Sequence, residues 1–348
     1  MTFHILDPLT DERWDAFVSQ HPRSSVFHTK NWLEALQQTY DYRPVAFSTS
    51  PLDGPLRNGL IFCRIKSWIT GRRLVSLPFS DHCDALADSA EQAVILSYVQ
   101  EQVRSEGCKY AEVRPASPRP EWPTNLNLQP SEKFYLHTLS LDAPLETLFR
   151  NLHKDCIQRK VRRAEREGLV YEIGRSQYLL NKFYELLLKT RRRHCVPPQP
   201  MQWFRNLIAS MGTQLTIRVA SKETHAVAAM ITLSFKDTVT YKYGCSDEEL
   251  SHLGGTPLLF WKIIQEAKHE GVSYLDLGRS DVDNEGLVRF KDRLGAQRKE
   301  LTYWRVSNKR ASGIPRPSWV TKVAQQVFPS IPDVILAASG RFLYRHMG

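Results

Sequence analysis

Two α/β units in tandem, α+β in character and each a mixed central sheet flanked by helices, form the fold class that this sequence predicts. Length is the first reason: 348 residues exceed the roughly 100–200 that one hydrophobic core usually serves. An internal repeat is the second. Glu106-Gly107-Cys108-Lys109-Tyr110-Ala111-Glu112-Val113 and Glu270-Gly271-Val272-Ser273-Tyr274-Leu275-Asp276-Leu277 share the pattern Glu-Gly-x-x-Tyr-x-acid-aliphatic. The copies lie too far apart for a solenoid period, so they read as duplicated domains. The third is what precedes each copy, a helical stretch at 90–104 and at 257–269. In the latter Phe260, Ile263, Ile264 and Ala267 fall on one face at i, i+3, i+4, i+7. Glycine then ends each helix where a left-handed residue costs least, and a strand begins.

The remaining elements follow in order. The stretch 145–167 predicts a helix whose apolar Ile157, Val161 and Ala164 oppose a basic stripe of Arg159, Arg162, Arg163 and Arg166, facing solvent or an anion. Residues 178–194 predict another helix, broken by Val196-Pro197-Pro198-Gln199-Pro200. Segments 214–220, 226–235 and 238–243 are rich in β-branched residues and read as consecutive strands. With the following helix and strand they make a mixed sheet with helices packed on it. The expected organisation is an N-terminal domain at 1–145, a basic helical insert at 146–175, a C-terminal domain at 176–306 and a basic tail at 307–348. In that tail Trp319, Val320, Val323 and Val327 form the apolar face of a short helix. It docks on its own domain or touches a membrane surface.

Composition narrows the function classes. Hydrophobic residues make up 42% of the chain, enough apolar surface to offset chain entropy, which excludes a disordered chain. The cysteines at 63, 83, 108, 156, 195 and 245 form no Cys-x-x-Cys pair, so neither a zinc ribbon nor a dithiol site is expected, and no metal. Isolated thiols suit a reducing compartment. Without a leader pattern or a run of roughly 20 apolar residues, a cytoplasmic protein is expected, peripheral at most to the inner face of the membrane. A net charge of +10 favours anionic partners: phosphorylated metabolites, tRNA or an anionic lipid surface.

Two stretches carry candidate chemistry. In Ser251-His252-Leu253-Gly254-Gly255-Thr256-Pro257, Thr256 reads as a helix N-cap and Pro257 as a first-turn residue. The exposed amides behind Leu253, Gly254, Gly255 and Thr256 would take a phosphate or carboxylate. The same pattern also serves as a plain capped helix start. The second stretch, 274–296, runs from a strand through a polar loop into a short helix, a usual construction for a site. Acyl transfer to an amine needs a proton acceptor and a cation or N–H group on the oxyanion. Arg279, Ser280 and Lys291 supply such groups, although Arg279 and Lys291 read equally as surface partners of Asp281, Asp283 and Asp292. In the first half, Asp81-His82 is either an acid-oriented base or a turn.

Within 240–305, Tyr-Lys-Tyr-Gly-Cys-Ser, Leu-Gly-Gly-Thr-Pro-Leu-Leu, Asp-Leu-Gly-Arg-Ser, Asn-Glu-Gly-Leu and Phe-Lys-Asp-Arg-Leu-Gly-Ala occur in that order. This run resembles the C-terminal half of FemAB-like proteins, including the BioF2-like acetyltransferase domain, which are tandem GNAT folds. Phe134-Tyr135-Leu136-His137-Thr138-Leu139-Ser140-Leu141, with the basic 159–168, is similar to that family's middle strand and basic helix. Phe27-His28-Thr29-Lys30-Asn31-Trp32 resembles its entry motif, so the likeness spans about residues 20–305. The resemblance implies a transferase that moves an acyl or aminoacyl group onto an amino group of a cell-envelope or polysaccharide precursor. The donor would be acyl-CoA (acetyl-CoA) or aminoacyl-tRNA. It places Phe290 and Lys291 at the acceptor and transition-state region and Tyr243 in a pocket; together with the loop residue Arg279, Lys291 and Tyr243 are the expected catalytic residues. Ser280, Asn284, Asp81, His82 and Trp32 would then contact substrate. The long helical arm of some tRNA-dependent members is missing, while the basic helix suits tRNA. A third reading is a non-catalytic module that binds an anionic glycan.

Overall fold

Runs of β-branched and aromatic residues, broken by glycine and polar turns, become twelve strands in the computed structural model, which describes residues 3–116, 126–307, 340 and 342–346. In chain order the elements are β1 (His4–Leu6), α1 (Arg13–Gln20), α2 (Lys30–Tyr40), β2 (Arg43–Ser48), β3 (Leu60–Ser67), β4 (Gly71–Val75), α3 (Ser89–Ser105), β5 (Tyr110–Val113), β6 (Leu128–Ser140), α4 (Leu145–Asn151), α5 (Arg159–Arg166), β7 (Val170–Gly174), α6 (Gln177–Arg193), α7 (Met201–Met211), β8 (Leu215–Lys222), β9 (His225–Phe235), β10 (Thr238–Ser246), α8 (Gly255–His269), β11 (Tyr274–Asp281), α9 (Glu285–Asp292) and β12 (Gln297–Ser307). The chain divides into two units between Phe134 and Tyr135 and between Lys299 and Glu300. These divisions fall inside β6 and β12, not at the 145 and 306 expected from composition, because long strands give no compositional break.

In the first unit the strands run β1-β2-β3-β4-β5-β12, antiparallel except for β4 and β5. Helix α3 makes the crossover between that parallel pair. It starts on a capping box in which Asp88 accepts from Glu91 N at 2.8 Å and Glu91 returns a bond to Asp88 N. Ile95, Leu96, Val99 and Val103 then bury one stripe against Val45, Phe47, Phe62 and Leu74 of the sheet. Each such side chain contributes about 1.5–3 kcal/mol by leaving water. Trp32, expected at a substrate site, is wholly buried here against Phe27.

The second unit orders its strands β6-β11-β10-β9-β8-β7. Here β10 and β11, joined through the helix α8, pair parallel, whereas β7 and β8, joined through α6 and α7, pair antiparallel. Thus α3 and α8 hold the same place in the two units, and the glycines of the sequence repeat end both: Gly107 at φ +65° and Gly271 at φ +74°. The single helix expected over 145–167 is broken. Leu152, buried in the core, and His153 leave the helix, His153 N bonding Arg293 O at 2.9 Å, and a wide turn over Lys154–Gln158 precedes α5. The expected faces hold: Ile157, Val161 and Ala164 join the core, while Arg159, Arg162, Arg163 and Arg166 are exposed. Among the described residues no helix is long and apolar enough to cross a membrane. The tail helix expected around Trp319, Val320, Val323 and Val327 lies outside the described residues.

His28 makes the first unit sensitive to acid. Its ring is buried, Nδ1 accepts from Ser25 N at 3.0 Å, and Nε2 lies 2.9 Å from Asp84 O. With Nδ1 accepting, the proton sits on Nε2, and a second proton would break the Ser25 bond. Burial first, and the neighbouring His82 as a lesser cause, push its pKa down from 6.5 to about 4. Between those values the unfolded chain binds a proton that the folded one refuses, so stability falls as pH drops through this window. The loss should reach roughly 3 kcal/mol at pH 4. Urea unfolding at pH 7 and pH 4 measures it, and His28→Gln should flatten this part of the profile.

Candidate active site

A cavity opens in the second unit because β10 and β11 stop pairing. They are in register only from Thr238–Tyr274 to Thr240–Asp276, although β10 continues to Ser246 and β11 to Asp281. Just past this point β10 carries a bulge. Tyr241 faces Thr232 of β9 and Tyr243 faces Ile231, which leaves Lys242 as an extra residue. In a regular strand Tyr241 and Tyr243 would share a face. The bulge instead sends them to opposite sides. Tyr241 packs on Phe260 of α8 at 5.0 Å between centroids, whereas Tyr243 packs on Phe204 and accepts a 2.8 Å bond from Trp203 Nε1.

The cavity measures about 450 Å³ and is walled by Tyr241, Gly244, Cys245 and Ser246 of β10, the start of α8, Phe290 and Lys291 of α9, and the end of α6. Lys160, Arg193, Lys291 and Arg293 line it with no carboxylate among the lining residues, so its field favours an anion. At its mouth α8 begins with Gly255, and its N-cap is Gly254, not the expected Thr256. Pro257 has no N–H and Leu258 N already bonds Gly254 O, so the amides of Gly255 and Thr256 are left without an acceptor inside the helix. Both residues line the cavity, with the positive end of the helix dipole behind them.

Both glycines also answer to packing. A Cβ on Gly254, at φ +82°, would stand within 2.4 Å of Lys160 O, and one on Gly255 within 2.8 Å of Val227. Gly244 is constrained from within the site, since a Cβ there would overlap the Tyr241 hydroxyl. Small residues therefore let a helix start, a strand and a tyrosine meet around one hollow.

Lys291 is buried on the cavity wall, its Nζ donating to Gly278 O at 2.9 Å and Arg279 O at 3.0 Å. It thereby ties α9 to β11. His137 Nε2 approaches the carboxylate of Asp292 at 3.3 Å, and burial, then the Lys291 charge, lower the pKa of this histidine. Burial raises the pKa of the Tyr241 hydroxyl and of the Cys245 thiol, keeping both protonated and removing Cys245 as a nucleophile. At the rim, burial and the Arg193 and Arg191 charges lower His194, which favours a neutral imidazole.

Of the residues singled out in the sequence, Phe290, Lys291, Gly255 and Thr256 line this cavity; Tyr243, Arg279, Ser280, Asn284, Leu253 and Gly254 do not. Arg279 gives its carbonyl to Lys291, and Ser280 Oγ is buried with no hydrogen-bond partner among the described residues. Asn284 caps α9 by accepting from Leu287 N at 3.1 Å. Trp32, Asp81 and His82 belong to the first unit, where Asp81 O accepts from Tyr303 and His82 stands edge-on to Phe27. The sequence does not mark Tyr241, Lys160, Arg193 or His194 as site residues. Their one sequence signal was the Arg-Arg-Arg-His run before a proline break, while the bulge that selects Tyr241 leaves no compositional mark. Among the described residues no cluster of three His, Cys, Asp or Glu side chains is placed to hold a metal.

Residues 153–292, which contain every residue lining the cavity except Arg293, match the acetyltransferase (GNAT) domain family. This chain carries a GNAT-type acetyltransferase domain. Its fold is similar to the crystal structure of FemX, with a TM-score of 0.65 at 14% identity, covering 87% of this chain and 97% of that one. A tandem GNAT protein from the clavulanic acid biosynthesis pathway gives 0.55 at 12% identity over 89% and 99%. L-PGS from Bacillus licheniformis gives 0.57 at 13% over 92% and 98%. No curated protein matches the chain. At these identities the likeness is one of fold, which is FemAB-like with tandem GNAT units.

The cavity of the GNAT domain rests on Gly254. Gly254→Ala forces both a strained φ and a clash with Lys160 O, and should cost about 3 kcal/mol. Gly107→Ala is the comparison: its φ is similar, but nothing lies within 4 Å of the added Cβ, so about 1 kcal/mol is expected. Urea denaturation of the two variants against the parent measures the difference.

Proposed function

We propose that this chain is an N-acyltransferase that moves an acyl group from a CoA thioester to an amino group of a cell-envelope or polysaccharide precursor. The observation that carries this reading is the cavity beside the part of β10 that no longer pairs with β11. There two unpaired helix-start amides and four cations, with no lining carboxylate, surround a tyrosine hydroxyl. A donor with an anionic pyrophosphate would seat those phosphates on Gly255 and Thr256 N–H and on Lys160, leaving its thioester beside Tyr241.

The chemistry then follows from the side chains present. The acceptor amine attacks the thioester carbonyl, and the oxyanion develops in the field of Lys291. His194, kept neutral, is placed to take the amine proton at the rim. The C–S bond breaks, and Tyr241, kept protonated, donates to the leaving thiolate. In this reading the polar role first given to Tyr243 passes to Tyr241, and Arg279 acts by holding Lys291 through its carbonyl. Ser280, Asn284, Trp32, Asp81 and His82 lie off this cavity's wall and are given no part in the step.

A second reading takes aminoacyl-tRNA as donor. It is favoured by the exposed stripe Arg159, Arg162, Arg163 and Arg166 on α5, the same helix that sends Lys160 to the cavity. Two of the four arginines are already paired, Arg159 with Asp155 at 3.1 Å and Arg163 with Glu167 at 3.8 Å, which reduces the charge free for a phosphate backbone. The acyl-CoA reading is therefore preferred. A non-catalytic module for anionic glycans would use the same cations but would have no need of the protonated tyrosine.

Thermal-shift measurements separate the three. Acetyl-CoA or a longer acyl-CoA at about 100 times its Kd should stabilise the native state by about 2.7 kcal/mol and raise Tm by a few degrees. A shift with charged tRNA alone, or with nucleotide sugars alone, would replace the reading by the corresponding alternative. Lys291→Met should lower kcat by about two orders of magnitude while acyl-CoA still shifts Tm. Because it strands two buried carbonyls it should also cost about 1–3 kcal/mol. Steady-state kinetics beside circular dichroism melts test both effects, and unchanged kcat would remove Lys291 from the mechanism.

A further inference from the structure

The first unit contains a second, cationic hollow of about 430 Å³, lined by Arg43, Arg64, Lys66, Arg72, Arg73 and Arg345. Asp41 and Glu106 are its acidic lining residues, and each is engaged, with Arg345 at 4.0 Å and with Arg64 at 2.9 Å. Arg43, Lys66, Arg72 and Arg73 have no carboxylate partner among the described residues. Lys66 and Arg72 are direct cross-strand partners on the β3–β4 hairpin, a like-charge pairing that destabilises a sheet unless an anion lies between. Arg73 is 7% exposed, and its buried Nε has no hydrogen-bond partner among the described residues, although Nη2 bonds His346 O at 2.9 Å. One wall of the hollow thus keeps an unused guanidinium donor.

Beside the cations stands an apolar knob. Trp68 is 79% exposed and Ile69 47%, at the tip of the same hairpin, and Phe342, 51% exposed, packs on Trp68 at 6.2 Å. The turn is held rigid by Ser67 Oγ, which accepts from Ile69 N and Thr70 N. Exposing a tryptophan to this degree is unfavourable in water, and the hairpin fixes it there beside uncompensated charge.

We propose that this end of the first unit docks on an anionic phospholipid bilayer. Trp68, Ile69 and Phe342 enter the boundary between headgroups and acyl chains, Lys66 and Arg72 meet lipid phosphates, and Arg73 binds one headgroup phosphate within the hollow. Charge complementarity selects this occupant. A free phosphate would satisfy the guanidinia yet leave the tryptophan in water, whereas a bilayer surface offers phosphate and hydrocarbon together. The proposal stands apart from the cavity of the GNAT domain and holds whatever donor that cavity takes.

The test uses the full chain and sedimentation with extruded vesicles. Phosphatidylcholine vesicles carrying about one-third phosphatidylglycerol should bind it at least about tenfold better than phosphatidylcholine alone, and added salt should weaken the binding. Trp68→Ser combined with Ile69→Ser should reduce binding about tenfold, as should Lys66→Glu. Both sites are exposed, and an unchanged Tm confirms that the variants fold. Binding that survives in the Trp68→Ser, Ile69→Ser variant would be carried elsewhere, as by the basic tail, and would overturn the proposal. So would a Tm raised by inorganic phosphate or glycerol phosphate without vesicle binding, which would make the hollow a small-anion site. Retention by an acidic protein but not by vesicles would overturn it as well.

Discussion

Parallel strands joined by a helix pair only as far as their backbones stay in register, and in the second unit that register ends after three residues. From Thr240 onward β10 bends away under its bulge while β11 continues beside β6. The separation leaves backbone and side chains of β10 facing an empty wedge, and the first turn of α8 closes one side of it with unpaired amides. Three of the candidate groups meet at this divergence: Tyr241 by the change of face at the bulge, Lys291 by its anchor on β11, and Lys160 by the packing of α5 on Gly254.

Charge reinforces the geometry. A wedge lined by four cations and no carboxylate is costly to leave without an anion, because like charges raise one another's energy in a partly dry cavity. The protein tolerates it by tying some of the charge down. Lys291 spends two of its donors on backbone carbonyls, and Arg193 lies 3.7 Å from Glu248. Burial first, then the Arg193 and Arg191 charges, lowers His194, and burial keeps Tyr241 protonated. Proton acceptor and proton donor are thus set by one environment without a metal or a reactive thiol in the step proposed for this cavity.

The first unit repeats the architecture in different side chains. Its crossover β4-α3-β5 matches β10-α8-β11, yet α3 starts on an acidic capping box, Asp88 with Glu91, where α8 starts on two glycines. Carboxylates at a helix N-terminus fill the positive end of the dipole that an anionic ligand would otherwise use. The duplicated fold therefore leaves its uncapped helix start in the second unit. The first unit gathers its unpaired cations at the opposite end of β3 and β4.

Local signals made much of this fold readable from the chain alone. Apolar periodicity located α6, α8 and the strands β8 to β10 to within about three residues, and the Glu-Gly-x-x-Tyr repeat announced the duplication, because helix faces and glycine stops are written in short stretches. The same holds for the glycine-rich start of α8, whereas the Phe290-Lys291 pair is singled out only by the resemblance to FemAB-like proteins. Folding in three dimensions decided the rest. Whether Tyr241 or Tyr243 faces the cavity depends on one extra residue in a ladder with β9, and composition does not encode register. Likewise the break at Leu152–His153 depends on Arg293, more than a hundred residues away, and the cations of the wedge come from α5, α6 and α9. Such groupings are properties of packing between distant segments, so they exist only once the chain has closed on itself.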